Sequence, residues 1–117
     1  MELAREPGEF RNMRVVVLVN KGSASASEIF AGAMKDWGFP VVGYRSFGKG
    51  VGQTMFPLSN GSMLKLTTFE FLVGNSKTKI NDIGVVPNYE ISDPVLSTAE
   101  IIRNDRQLLK AIEILSN

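Results

Sequence analysis

A run of aliphatic residues, Val15-Val16-Val17-Leu18-Val19, stops at Asn20-Lys21-Gly22 and gives way to a segment of helical period. The run shows no polar alternation. A strand of that composition suits a parallel sheet covered on both faces, which points to an α/β layered fold. The helix predicted next runs from about Ser25 to Trp37. Its apolar positions Ile29, Phe30, Ala33, Met34 and Trp37 recur three and four residues apart, and Gly38 and Pro40 stop it. Val41-Val42 reads as a second short strand.

Beyond it, Gly43, Gly48, Gly50 and Gly52 mark a loop. Thr54-Met55-Phe56 and Met63 to Val73 flank Asn60-Gly61, a strong hairpin signal. Gly74 to Asp82 is polar and is expected to be exposed, and Val85-Val86-Pro87 reads as a short extended piece. Asn104 with Gln107 makes a capping pair for a last helix to about Leu115, with Leu108, Leu109, Ile112 and Leu115 as its stripe. At 117 residues, 44% of them apolar, the chain is one domain or a piece of one.

Two absences narrow the chemistry. With no histidine and no cysteine, Ser-His-Asp and Cys-His catalysis cannot be assembled from this chain alone. Disulfides and thiolate metal sites are excluded, and a zinc site would need carboxylates only, which argues against one. A net charge of +1 implies no basic face for nucleic acid. No stretch approaches the ~20 apolar residues that span a bilayer, and the charged start Met-Glu-Leu-Ala-Arg-Glu carries no signal-peptide core.

Two motifs remain. In Gly22-Ser23-Ala24-Ser25-Ala26-Ser27-Glu28, three serines alternate with small residues where the buried strand turns into the helix. Ser25-Ala26-Ser27-Glu28 fits a capping box, which needs no catalytic role. It equally fits a nucleophile lifted out on a sharp turn, with the Ala26 N–H at the helix start as one oxyanion donor. Phe47-Gly48-Lys49-Gly50 places a lysine between glycines, with Gln53 beyond. A lysine can activate a serine. To act as a base near neutrality, its pKa must fall from about 10.4 to roughly 7–8. Gly43 to Lys49 also matches G-x-x-x-x-G-K. Position 50 is glycine where a phosphate loop needs Ser or Thr, and an extended segment follows where a helix should, so nucleotide binding fails twice. Gly48-x-Gly50 is too short for a dinucleotide fingerprint.

Taken together, Val-Leu-Val-Asn-Lys-Gly-Ser-Ala-Ser-Ala-Ser-Glu-Ile-Phe-Ala-Gly-Ala-Met-Lys-Asp and Phe-Gly-Lys-Gly-x-x-Gln-Thr resemble the C-terminal processing peptidases, or tail-specific proteases. Leu58-Ser59-Asn60-Gly61-Ser62 with Leu64 to Thr68 resembles the family's hairpin, and Ile83-Gly84-Val85-Val86-Pro87-Asn88 its Gly-hydrophobic-x-Pro-Asp segment. The likeness runs from about residue 14 to 115.

The resemblance implies a crotonase-like, Clp-protease-like α/β fold. It implies a serine endopeptidase that cleaves protein substrates near their C-termini through an acyl-enzyme, without metal or cofactor. By position, Ser25 takes the nucleophile's place, Lys49 the general base's and Gln53 that of the amide orienting the lysine. Ala26 takes the place of a backbone oxyanion donor. Asp36, eleven residues beyond Ser25 on a similar helix face, is expected to be structural. An exported, periplasmic or envelope-associated location follows from the family.

The sequence departs from the family pattern in several places. The stretch from Asp36 to Lys49 is one residue shorter, and Asn88 stands where aspartate is usual. The family's Asp-Leu-Arg-x-Asn-x-Gly-Gly segment, whose glycine supplies the second oxyanion donor, and its PDZ domain are not in residues 1–117. The expectation is a single partial protease domain, the C-terminal half, weak or silent as a catalyst and prone to pair or swap with its own copies. A non-catalytic binding module on the same fold is the alternative. Retention of Ser25, Lys49 and Gln53 together argues against it.

Overall fold

A computed structural model of the chain describes Gly8, residues 12–92 and residues 105–117. Strand β1 (Val17–Val19) leads into helix α1 (Ala26–Asp36), which returns to strand β2 (Val41–Gly43). β1 and β2 are parallel, with Val17 opposite Val41, Leu18 opposite Val42 and Val19 opposite Gly43. Strands β3 (Val51–Pro57) and β4 (Met63–Glu70) form an antiparallel ribbon, and β5 (Leu72–Val73) and β6 (Thr78–Lys79) a second, shorter one. Strand β7 (Tyr89–Glu90) adds to β2 in parallel, giving the order β1-β2-β7. Helix α2 (Arg106–Ser116) packs on β1 and β2.

The core is small and lies between the three-stranded sheet, α1 and the 80–85 segment. Val19, Ala31, Val41, Val73, Ile80 and Val85 are buried in it, with Val17 and Phe71 packed against them. Ile80, inside the stretch expected to be polar and exposed, is among the most buried side chains of the described residues. The polar residues around it make a turn, and the turn sets Ile80 inward.

Four expectations are corrected here. The run 15–19 was expected to be covered on both faces, yet only Val17–Val19 is strand and Leu18 is 42% exposed. β1 has β2 on one side and, among the described residues, no strand on the other. Helix α1 does not bury its apolar stripe. Glu28, Ala31 and Gly32 face inward, while Ile29, Phe30 and Trp37 are exposed. Gly32 explains the choice of face, because a Cβ there would come within 2.5 Å of Val73 Cγ2. The helix approaches β5 through its smallest side chain, and the bulky stripe is left outside.

Helix α2 shows the same rotation, with Ala111 buried and Leu109 and Ile112 exposed. Its cap is Asp105, whose carboxylate accepts from the Gln107 and Leu108 N–H groups at 2.9 Å each. A carboxylate one residue nearer the helix takes two free donors at once, and Asn104 lies outside the described residues. Just beyond Val85-Val86-Pro87, Tyr89–Glu90 pairs with β2.

Other local expectations hold. Gly38, at φ 87°, closes α1 in the left-handed conformation, and the Phe39 N–H reaches back to the Met34 carbonyl at 3.0 Å. Asn60-Gly61 turns the ribbon, with Gly61 at φ 85° and Asn60 Oδ1 accepting from the Ser62 N–H. Asn88 Oδ1 accepts from the Val41 N–H at 2.9 Å, a bond that an aspartate oxygen could equally accept.

Candidate active site

The turn between β1 and α1 is built from its own side chains. Asn20 Oδ1 accepts from the Gly22 N–H at 2.9 Å, and Ser23 Oγ accepts from the Asn20 N–H at 3.1 Å. Ser23 is thereby occupied in the turn, and Ser27 is the second residue of α1. Ser25 between them has φ 57° and ψ −117°. That pair of angles lies outside the left-handed basin that non-glycine residues tolerate. It costs on the order of 1–3 kcal/mol and persists only where its surroundings enforce it. A serine in such a turn projects from the backbone ahead of the helix. Ala26 opens α1, and its N–H, in an exposed residue, has no acceptor among the described residues.

Glu28 enforces the strain. It is wholly buried, and its two oxygens accept four hydrogen bonds. Oε2 takes the Ser25 N–H at 2.9 Å and the Lys49 N–H at 2.8 Å. Oε1 takes the Ser46 hydroxyl at 2.5 Å and the Gly48 N–H at 2.7 Å. Burial pushes its carboxyl up, but the bonds from Ser46, Gly48, Lys49 and Ser25 outweigh burial and hold it below the usual carboxylate range. The backbones of Ser25 and Lys49 therefore meet on one oxygen.

The glycines around Lys49 are there for packing. Gly48 has φ 93°, and its carbonyl accepts from the Asp82 N–H at 2.9 Å. A Cβ on Gly50 would stand 2.5 Å from the Asn81 nitrogen. The loop is thus clamped between the start of α1 and residues 81–84. Ser46 completes the clamp, because its Oγ accepts from the buried Val85 N–H at 2.6 Å while donating to Glu28. The Phe47 N–H also donates to the Ser23 carbonyl at 2.9 Å.

The Lys49 side chain leaves this clamp into solvent, and Gln53 is exposed on β3. No hydrogen bond links Lys49 or Gln53 to the Ser25 hydroxyl. A bulge between Gly52 and Gln53 shifts the β3–β4 register there. Phe69 lies across Gly52, where a Cβ would come within 2.0 Å of its ring. Lys21 is the lysine nearest Ser25 in sequence. Its ammonium sits over the Tyr44 ring, 4.7 Å from the centroid.

Asp36 does separate work. Its carboxylate accepts from the Asn75 N–H at 2.6 Å and from the Ser76 hydroxyl and N–H, which ties the β5–β6 turn to the end of α1. Hydrogen bonding from Ser76 is the main reason its carboxyl lies below the usual range. A groove of about 380 Å³ lies beside it, lined by Gly32, Lys35, Val73, Ile80 and Val86 among others, away from Ser25 and Lys49. Ser25 lies at the opposite end of α1 from this groove.

The sequence reading missed Glu28 and Ser46 as site residues. Glu28 was visible only as the third residue of a capping box, and it does reach back to the Ser25 N–H. Its other three bonds, to residues 46–49, arise from tertiary packing and leave no local signal.

Residues 2–91 match the family model described as Peptidase family S41. A probable CtpA-like serine protease of Staphylococcus saprophyticus is 41% identical over 99 residues, covering 84% of this chain and 20% of the relative. One from Staphylococcus epidermidis is 40% identical over 97 residues, covering 82% and 20%. Among solved structures, a photosystem II D1 C-terminal processing protease superposes with a TM-score of 0.65 at 39% identity, covering 87% of this chain and 24% of that one. The chain thus spans about a fifth of the length of these curated relatives. With its family match, its serine protease relatives and its structural neighbour in agreement, the chain belongs to peptidase family S41, the C-terminal processing peptidases.

Proposed function

We propose that this chain carries the Ser/Lys catalytic dyad of an endopeptidase that cleaves proteins near their C-termini, on a crotonase-like, Clp-protease-like framework. The observation that carries the reading is the strained Ser25 held on the same Glu28 oxygen as the Lys49 backbone. Lys49, in its neutral form, takes the Ser25 proton as Oγ attacks the scissile carbonyl. The Ala26 N–H receives the oxyanion. As the tetrahedral species collapses, the C–N bond breaks and Lys49 returns the proton to the leaving amine. A water then repeats the sequence on the acyl-serine, with Lys49 again as base. Gln53 orients the lysine. The second oxyanion donor is a glycine from the family's upstream segment, so residues 1–117 alone turn over weakly or not at all. Losing one such donor costs about 10²–10³ in turnover. By family, the whole protein works outside the cytoplasm or at the envelope.

The test is peptide cleavage by a chimera in which residues 12–92 replace the matching stretch of the Staphylococcus saprophyticus relative, with the 117-residue chain assayed alongside. Ser25→Ala and Lys49→Ala should each abolish cleavage, and the double variant should be no worse, since the two act as a unit. Gln53→Ala should reduce it less. Turnover like wild type in Lys49→Ala sinks the dyad.

A further inference from the structure

Four donors converge on one buried carboxylate, and three of them are backbone N–H groups that only an acceptor can serve. The two N–H groups on Oε2 belong to the nucleophile and to the base, which lie on different elements 24 residues apart. The hydroxyl and N–H on Oε1 belong to the loop that carries the base. An ionised carboxylate has two acceptor-only oxygens and suits this set. An amide does not. Whichever way it turns, its NH₂ faces a backbone N–H, and either the Ser25 and Lys49 bonds or the Gly48 bond is lost; only the Ser46 hydroxyl can reverse its role.

Ordinary N-terminal capping needs only the bond to the Ser25 N–H. The other three bonds have no part in the helix start and hold the Lys49 loop. We infer that Glu28 is a positioning residue of the catalytic site: its ionised carboxylate sets the distance between the Ser25 turn and the Lys49 loop, with Ser46 holding the far side of the loop to Val85. Glu28 touches neither substrate nor the reacting atoms. It acts through the backbones of the two residues that do. This rests on the dyad proposed above. A displacement of about 1 Å between reacting groups can cost about 10²-fold in rate, so turnover should be sensitive to Glu28 where substrate binding is not.

The experiment uses Glu28→Gln, close to isosteric, in two settings. In the 117-residue chain, amide exchange by NMR reads the Ser25, Gly48 and Lys49 N–H groups directly. Exchange should speed up at Ser25 and Lys49 together, or at Gly48, while amides in the β1–β2 ladder stay protected. Unchanged protection at all three overturns the inference, and uniform loss across the fold overturns it too, because the residue is then merely structural. In the chimera, kcat should fall about 10²-fold with KM within about threefold, the pattern of a lost transition-state arrangement. Glu28→Asp, which keeps the charge but shortens the reach, should fall between wild type and Glu28→Gln. A Glu28→Gln chimera with wild-type kcat, or one whose loss lies wholly in KM, overturns the inference while leaving the dyad standing. A chimera whose cleavage survives Ser25→Ala removes the dyad itself, a separate and distinguishable failure.

Discussion

Ser25 holds a strained backbone at the start of a helix. Its backbone angles suit glycine, and no feature of a serine side chain relieves them. Ser25→Gly should therefore be more stable than Ser25→Ala by about 1 kcal/mol or more. Chemical denaturation of the two variants measures the difference, and equal stability would show that the turn is not strained. Glu28 leads to a second expectation, in pH. Its carboxyl lies below the usual range in the folded chain, so the folded state binds its proton less readily than the unfolded state. The stabilisation is fully present above the unfolded value, about 4.3, and is lost as pH falls through that value and on through the folded one. Asp36 adds in the same direction. Urea unfolding at pH 7, 4 and 3 should show the decline, with a shallower slope in Glu28→Gln. Identical slopes would mean that Glu28 titrates alike in both states.

At the scale of elements, the two helices show that a cap and a packing face are chosen by different forces. A cap depends on the few atoms next to the helix end. Asp105→Ala should cost α2 about 1 kcal/mol, read by chemical denaturation, because two N–H groups lose their acceptor. A packing face depends on what lies opposite. In α1 it is decided by how closely β5 approaches Gly32, and in α2 by Ala111. Both helices thus put small residues inward and leave Phe30, Trp37, Leu109 and Ile112 outside. The β3–β4 ribbon goes further. Met55, Phe56, Met63, Leu64, Leu66 and Phe69 are all at least two-fifths exposed, and they occupy both faces of a two-stranded ribbon. Such a ribbon is marginally stable in water without cover.

At the scale of the molecule, these exposed surfaces give an elongated body. Its radius of gyration is 17.5 Å and its longest extent 57 Å. A compact chain of this length has a radius of gyration of roughly 13 Å. The edge of β1 left unpaired among the described residues, the outer stripe of α1 and the ribbon are where association would begin. Light scattering across a concentration series should show the 117-residue chain self-associating. Phe30→Gln combined with Leu66→Lys should shift it toward monomer, with folded stability changed by no more than about 1 kcal/mol, because both sites are exposed. A chain that stays monomeric at every concentration would show that these surfaces are tolerated bare.

The residues alone determined whatever depends on near neighbours. The β1-turn-α1-β2 order, the Asn60-Gly61 turn and the Gly38 stop could be read because each follows from backbone angles and hydrogen bonds a few residues apart. The absence of histidine removed whole classes of catalysis without any structure, and the serine and lysine motifs identified the family by the residues they keep. Tertiary structure decided which face of each helix is buried, that β1 is an edge strand among the described residues, and that Ile80 lies in the core. It also assigned the glycines at 48 and 50 to close packing against residues 81–84. Above all it revealed Glu28, a residue that sequence presents as half of a helix cap. A buried carboxylate collects whatever donors the fold brings within about 3 Å. Donors drawn from residues 25, 46, 48 and 49 converge only once α1 and the glycine loop have packed together.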